Sequence, residues 1–158
     1  MISDFAAEFA KYKRTAEKAM AQVDDESLNR VVATEGNSIA MIVRHLGGNL
    51  QSRFTDFLTT DGEKPWRNRD DEFVTRPYSR VDVERLWADG WQVLDTTLTQ
   101  LTEADYDRQV LLRGESISVH AALCRALAHV GYHAGQIVLL ARIQAAGEWR
   151  WISIPKAT

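Results

Sequence analysis

Apolar residues return every three or four positions along four long stretches of this chain, and that repeat constrains the fold more than any other feature. A period near 3.6 lines one face of a helix, whereas a half-buried strand needs strict alternation. The first stretch covers about residues 3–23, with Phe5, Phe9, Tyr12, Ala16 and Met20 on its stripe and Ser3 as a candidate cap. The second covers about 38–58, where Ile39, Ile42, Val43, Leu46, Leu50, Phe54 and Phe57 follow the start signal Glu35-Gly-Asn-Ser38. The third covers about 80–101: Ser79 and Asp82 sit at capping-box spacing, and Val83, Leu86, Trp87, Trp91, Leu94, Leu98 and Leu101 make a broad stripe. The fourth covers about 119–146 and stops at Gly147, with Leu123, Leu127, Val130, Ala134, Ile137 and Ala141 on one face.

Residues 59–78 join the second and third stretches. They carry Trp66 and Phe73, side chains that a disordered linker lacks, so an ordered crossover is expected. Residues 108–119 alternate weakly around Arg113-Gly-Glu115, which suits a short hairpin or extended turn. The tail from Trp149 to Pro155 is apolar enough to pack on the body. Four amphipathic helices, one long crossover and no substantial sheet predict an all-α four-helix bundle. A length of 158 residues suits a single domain, 1–158.

Composition narrows the function classes. Nineteen Lys+Arg against 22 Asp+Glu leave a formal charge of −3 with no basic stripe, which argues against nucleic acid or an anionic membrane surface as partner. The single cysteine, Cys124, excludes an internal disulfide framework and reads as a small core residue. No run of about 18 apolar residues is present, and the start Met1-Ile-Ser-Asp4 lacks the pattern of a secretion signal, so a cytoplasmic protein is expected.

The chemistry gathers on histidines. His129 and His133 lie four apart, roughly 400° of helical turn, so two imidazoles share one face and reach one ion. Two make a weak site. A third ligand must come from a facing helix, and His45 in Ile42-Val-Arg-His45 is the candidate, although an isolated histidine at such a position also suits a purely structural role. Gly47 and Gly48 follow His45, while Gly131 and Gly135 flank His133. Each mid-helix glycine costs about 1 kcal/mol relative to Ala, so close helix approach or room for an ion is expected there. His120 points to the other side of the helix and reads as a first-turn surface residue. Val130 stands where a zincin carries its general-base Glu, and there is no nucleophile elbow, phosphate loop or Glu-x-x-His pair.

On Asn37-Ser-Ile-Ala-Met-Ile-Val-Arg-His45, Asn49, Thr55-Asp-Phe-Leu-Thr-Thr-Asp-Gly-Glu-Lys-Pro-Trp-Arg-Asn-Arg-Asp-Asp-Glu-Phe73 and His129-Val-Gly-Tyr-His-Ala-Gly-Gln-Ile137, the chain resembles the DinB-like superfamily. That group includes YfiT-like metal-dependent hydrolases and thiol-dependent transferases, and within it the likeness is to a bacterial subfamily of uncharacterised function. The resemblance implies a four-helix bundle, frequently homodimeric, with one divalent ion, zinc or nickel, held by His45, His129 and His133. It also implies transfer of a low-molecular-weight thiol to small electrophiles. Metal-dependent hydrolysis, or a non-catalytic metal-binding dimer with a stress-related role, stands as the alternative.

Three neutral imidazoles leave an ion its full charge and an open position, as in catalytic zinc sites. No carboxylate stands out in the sequence as a general base, which favours thiol transfer over hydrolysis. Asn49, one turn after His45, and Gln136, three after His133, are candidates to orient a ring or a substrate. Trp66 is expected to give an apolar wall, Arg67 and Arg69 either to hold a carboxylate or to pair within a salt-bridged surface loop, and Tyr132 to donate a hydrogen bond into the site or pack in the core.

Overall fold

Each long stripe of the sequence forms a helix in the computed structural model, which describes residues 1–153. In chain order these are α1 (Ile2–Met20), a short α2 (Asp25–Asn29), α3 (Ile39–Phe54), α4 (Arg80–Gln100) and α5 (Val119–Gln144), with a hairpin of β1 (Gln109–Leu112) and β2 (Glu115–Ser118) before α5. The protein is thus mostly helical with one small antiparallel sheet.

Local chemistry sets the boundaries. Ser38 caps α3 by accepting from Met41 N at 3.2 Å, and Ser118 caps α5 by accepting from Ala121 N at 3.1 Å. Ser79 and Asp82 form a reciprocal capping box on α4, each accepting from the other's backbone N–H at 3.2 Å. Helix α1 begins at Ile2, so Ser3 lies inside the first turn instead of capping it. Helix α3, the second long stretch, ends four residues short of expectation, because Thr55 is extended and Asp56 takes a positive φ of 49°. Helix α5, the fourth, ends at Gln144, because Ala145 is already extended, two residues before Gly147.

Helix α3 lies at the centre, packed on both α4 and α5, while α1 packs chiefly on α5. Phe9, Leu46, Leu50, Trp91, Leu94, Leu123, Val130 and Ile137 fill the shared core. Where α3 crosses α4 no side chain intervenes: a Cβ built on Gly90 would lie 2.6 Å from Gly47 Cα, and one on Gly47 would lie 2.5 Å from Leu86 O. Gly47 therefore serves the approach to α4, not the approach to the histidine helix that its position beside His45 suggests. Gly131 leaves room for the Tyr12 ring, and nothing lies against Gly135.

The crossover is ordered, as its aromatic content predicts. Its far end is tied to α2 by Asn29, which donates to Tyr78 O at 2.8 Å and accepts from Tyr78 N at 2.9 Å. Its near end carries the hairpin. Arg113 (φ 56°) and Gly114 (φ 76°) make the two-residue turn, both in the left-handed region that matches the twist of paired strands. Their backbone N–H groups donate to the Asp61 carboxylate at 2.9 and 2.7 Å, and Gly62 N donates to Leu111 O at 2.9 Å. Asp61 thereby pins the hairpin to the crossover. The tail packs through Trp149 and Ile152; the rest of the expected packing segment, 154–155, lies outside the described residues. Among the described residues no helix is long and apolar enough to cross a membrane.

Candidate metal centre

Helix α3 presents His45 and α5 presents His129 and His133, and the three rings meet in the interior. His45 and His133 are buried, and His129 is half-buried. His129 Nε2 lies 3.2 Å from His45 Nε2 and 3.2 Å from His133 Nε2. One ligand nitrogen from each ring falls within 4.8 Å of the others.

The outer faces of two rings fix their tautomers. His45 Nδ1 lies 2.8 Å from Glu72 Oε2, and a carboxylate only accepts, so Nδ1 carries the hydrogen and Nε2 presents a lone pair. His133 Nδ1 lies 2.7 Å from Gln136 Oε1, whose amide nitrogen donates to Tyr132 Oη at 3.0 Å. With the amide turned that way, His133 Nε2 is again a lone pair. The two lone pairs face one further nitrogen, His129 Nε2. A hydrogen there satisfies one of them and leaves the other facing nothing, while a cation satisfies all three. Imidazoles bonded tetrahedrally to zinc at about 2.0–2.1 Å stand about 3.3–3.4 Å apart, close to the 3.2 Å that separates His129 Nε2 from each of the other two. The residues present therefore fit a divalent ion. His129 Nδ1 is buried without a partner, so nothing on that side opposes the tautomer an ion requires.

Burial first, then the neighbouring His133 and His45, push the His129 pKa down to about 3. Burial also brings His133 down to about 4, against the raising effect of its bond to Gln136. Both rings are neutral at physiological pH, the form that binds metal.

Glu72 is the residue that sequence reasoning missed. It sits in the 3-10 turn Asp70–Phe73, and besides His45 it takes a bidentate pair of bonds from Arg67 Nε (2.8 Å) and Nη2 (2.9 Å). Burial alone would raise its pKa, but the bonds from His45 and Arg67 outweigh that and hold it below the usual carboxylate range. Gly48 makes the space: a Cβ there would stand 2.3 Å from Glu72 Oε1. Phe73 covers the His45 ring, centroid to centroid 4.8 Å. The sequence does show an acidic triplet, Asp70-Asp-Glu72, in an ordered insert. Nothing in it tells which carboxylate turns inward.

The family described as protein of unknown function DUF1572 matches residues 1–158. The chain belongs to the DUF1572 family. That family lies within the DinB-like group. No curated protein and no solved structure matches the chain.

In this DUF1572 member a cavity of about 520 Å³ opens beside His45 and His129, a size typical of small-molecule sites. Asn49, Arg67 and Arg69 line it. Gln136 reaches His133, and Tyr132 accepts a hydrogen bond from Gln136 and lies edge-on to the His133 ring at 4.9 Å while remaining 64% exposed, so it is not packed in the core. Trp66 does not give the apolar wall. Within the turn closed by Arg67 N and Lys64 O, Arg67 turns in to Glu72 and Trp66 is left 56% exposed. Phe54 and Phe57 of the α3 end and Val110 of the hairpin supply the wall instead.

Cys124 is exposed, not a core residue, because the inward row of α5 runs through Leu123 and Ala126. Its Sγ lies 3.3 Å from His120 Nε2. His120 stays away from the cluster, as expected, but it is half-buried, stacked on Tyr106 at 4.6 Å and edge-on to Phe5 at 6.0 Å.

Proposed function

We propose that this chain is a metal-dependent enzyme, a single DinB-like four-helix bundle whose His45, His129 and His133 hold one divalent ion, zinc or nickel, for transfer of a low-molecular-weight thiol to small electrophiles. The observation that carries the reading is the convergence of three imidazole nitrogens, two of them fixed as lone-pair donors by Glu72 and Gln136. When bound, such an ion acidifies a thiol or a water that reaches it. Thiol transfer is favoured over hydrolysis because the carboxylate at the cluster, Glu72, is fully engaged by His45 and Arg67 and is not free to take a proton from water. Its role is to hold the His45 ring, as Gln136 holds that of His133.

A homodimer is part of the same reading. Tyr132, Leu139 and Ile143, 64, 59 and 61% exposed, follow one another at helical spacing along the outer side of α5. Sedimentation of Leu139→Glu beside the wild type tests that surface.

The deciding experiment is metal analysis of protein purified without a nickel column. About one equivalent is expected, lost in His133→Ala. Less than half an equivalent, or unchanged content in the variant, sinks the metal reading. Displacement of chloride from a chloronitrobenzene-type electrophile by a thiol, giving the aryl thioether, should then run faster with loaded than with stripped protein. Equal rates remove thiol transfer, and ester or amide cleavage without thiol replaces it with hydrolysis.

A further inference from the structure

The cavity beside the histidines has a charge that the rest of the chain does not share. The protein as a whole carries −3, yet five of the side chains lining this cavity are arginines: Arg53, Arg67, Arg69, Arg113 and Arg125. Among the described residues the only carboxylate lining it is that of Glu115. Three of the five have partners. Arg67 is bound by Glu72, Arg113 reaches Glu63 at 2.7 Å, and Arg69 lies 3.5 Å from Asp70.

Arg53 and Arg125 have no carboxylate within 4 Å among the described residues, and they come from facing helices, α3 and α5. Arg53 is half-buried, donating one N–H to Gly62 O at 2.9 Å. Burial, then the like charges of Arg113 and Arg67, lower its pKa below the ordinary guanidinium value, against the weaker opposing pull of Glu63 and Asp61. A guanidinium nevertheless stays charged in a protein, so the crowding is a standing cost that an anion entering the cavity would relieve. Apolar side chains, among them Phe54, Phe57, Val110 and Ala126, line the same cavity.

We propose that this cavity takes a small organic dianion, bearing carboxylates or a phosphate, whose acidic groups are held by Arg53 on one wall and Arg125 on the other and whose apolar part lies along Phe54 and Phe57 toward His45 and His129. The inference names the substrate class for the site proposed above. It shares that reading's cavity but needs no ion, so the two are tested apart.

The test is calorimetric titration of metal-stripped and metal-loaded protein with glutarate, phenyl phosphate and the uncharged control glutaramide, with metal content measured on the same samples. The stripped protein is expected to bind at least one of the two anions saturably, to ignore glutaramide, and to lose affinity as salt rises. The tighter of the two distinguishes a carboxylate from a phosphate ligand. Arg125→Ala should weaken binding roughly tenfold, the scale of one charge-assisted hydrogen bond. Arg125 is exposed and makes no side-chain hydrogen bond among the described residues, so its loss leaves the fold intact. Arg53→Gln should act in the same direction with an unchanged circular dichroism spectrum. Anions that bind stripped protein no better than glutaramide overturn the inference, as do Arg125→Ala and Arg53→Gln proteins that bind like the wild type. Failure of the ion to load, with anion binding intact, would count against the metal reading alone.

Discussion

Glu72 holds His45 from behind: its Oε2 lies 2.8 Å from the ring's Nδ1, and Arg67 locks the same carboxylate from the other side. A loop residue 27 positions away thus sets the tautomer and direction of an imidazole on α3. Carboxylates behind metal-bound histidines raise ligand basicity and fix the ring, and their loss typically costs 10–100-fold in affinity. Glu72→Gln should therefore release zinc to a chelator roughly 10–100-fold more readily while keeping the helical signal. Gly48→Ala should approach the same result without changing either partner, because its Cβ would clash with Oε1 and push the carboxylate aside. Competition with a chromophoric chelator measures both, and wild-type retention in Glu72→Gln would show that the pair is ornamental.

Acid should unfold the metal-stripped protein early. The His129 and His133 pKa values fall from an ordinary 6.5 to about 3 and about 4 in the folded state. As pH drops below about 6.5 the unfolded chain takes up protons that the folded rings refuse, so stability is full above that value and declines through the window down to about 3. Urea midpoints at about pH 7.5 and 5.5 check this. A double His129→Gln, His133→Gln protein should show a flatter dependence, and an equally steep one would assign the effect to other groups.

The α3–α4 crossing should tolerate no added atoms. Gly90→Ala places a methyl 2.6 Å from Gly47 Cα, backbone against backbone, where nothing flexible can give way. A loss of about 1–3 kcal/mol is expected, the usual range for overpacking. The opposite control is Gly135→Ala, where nothing lies within 4 Å and the higher helix propensity of alanine should be neutral or mildly stabilising. Denaturant melts that rank the two the other way would contradict the crossing.

The hairpin should loosen when Asp61 is removed. That carboxylate takes the backbone N–H groups of Glu63, Arg113 and Gly114, and these bonds hold its pKa below the ordinary range. Asp61→Ala leaves the three donors to water, so amide exchange across Gln109–Ser118 should quicken while α3 and α5 exchange as before. Uniform protection in the variant would mean that strand pairing alone holds the hairpin.

Much of this was legible in the sequence, and the parts that were not share a cause. Long helices follow from repeats of seven or so apolar positions, as in α4, and their starts follow from Ser38 and Ser79, whose hydroxyls act within four residues. The histidine cluster was half local: four-residue spacing places His129 beside His133, but His45 needed a partner helix or a family likeness to bring it in. Glu72 was out of reach because its partner is 27 residues distant and its neighbours Asp70 and Asp71 are chemically the same. Cys124 was misread because one step along α5 from Leu123 swings a side chain by roughly 100°, from core to solvent. The short α2 went unseen because its five residues are too few to show a period.

The Asp61 clamp separates two tasks that most pockets entangle. The histidines stand on helices whose spacing is set by the core, whereas Val110, Leu111 and Leu112 reach the cavity from a ribbon held to the crossover by Asp61, Gly62 and Glu63. That ribbon is a replaceable panel. Changes in its length or its inward side chains would retailor which molecules fit while the ion-binding frame stays as it is, so new preferences can arise here at little expense to folding.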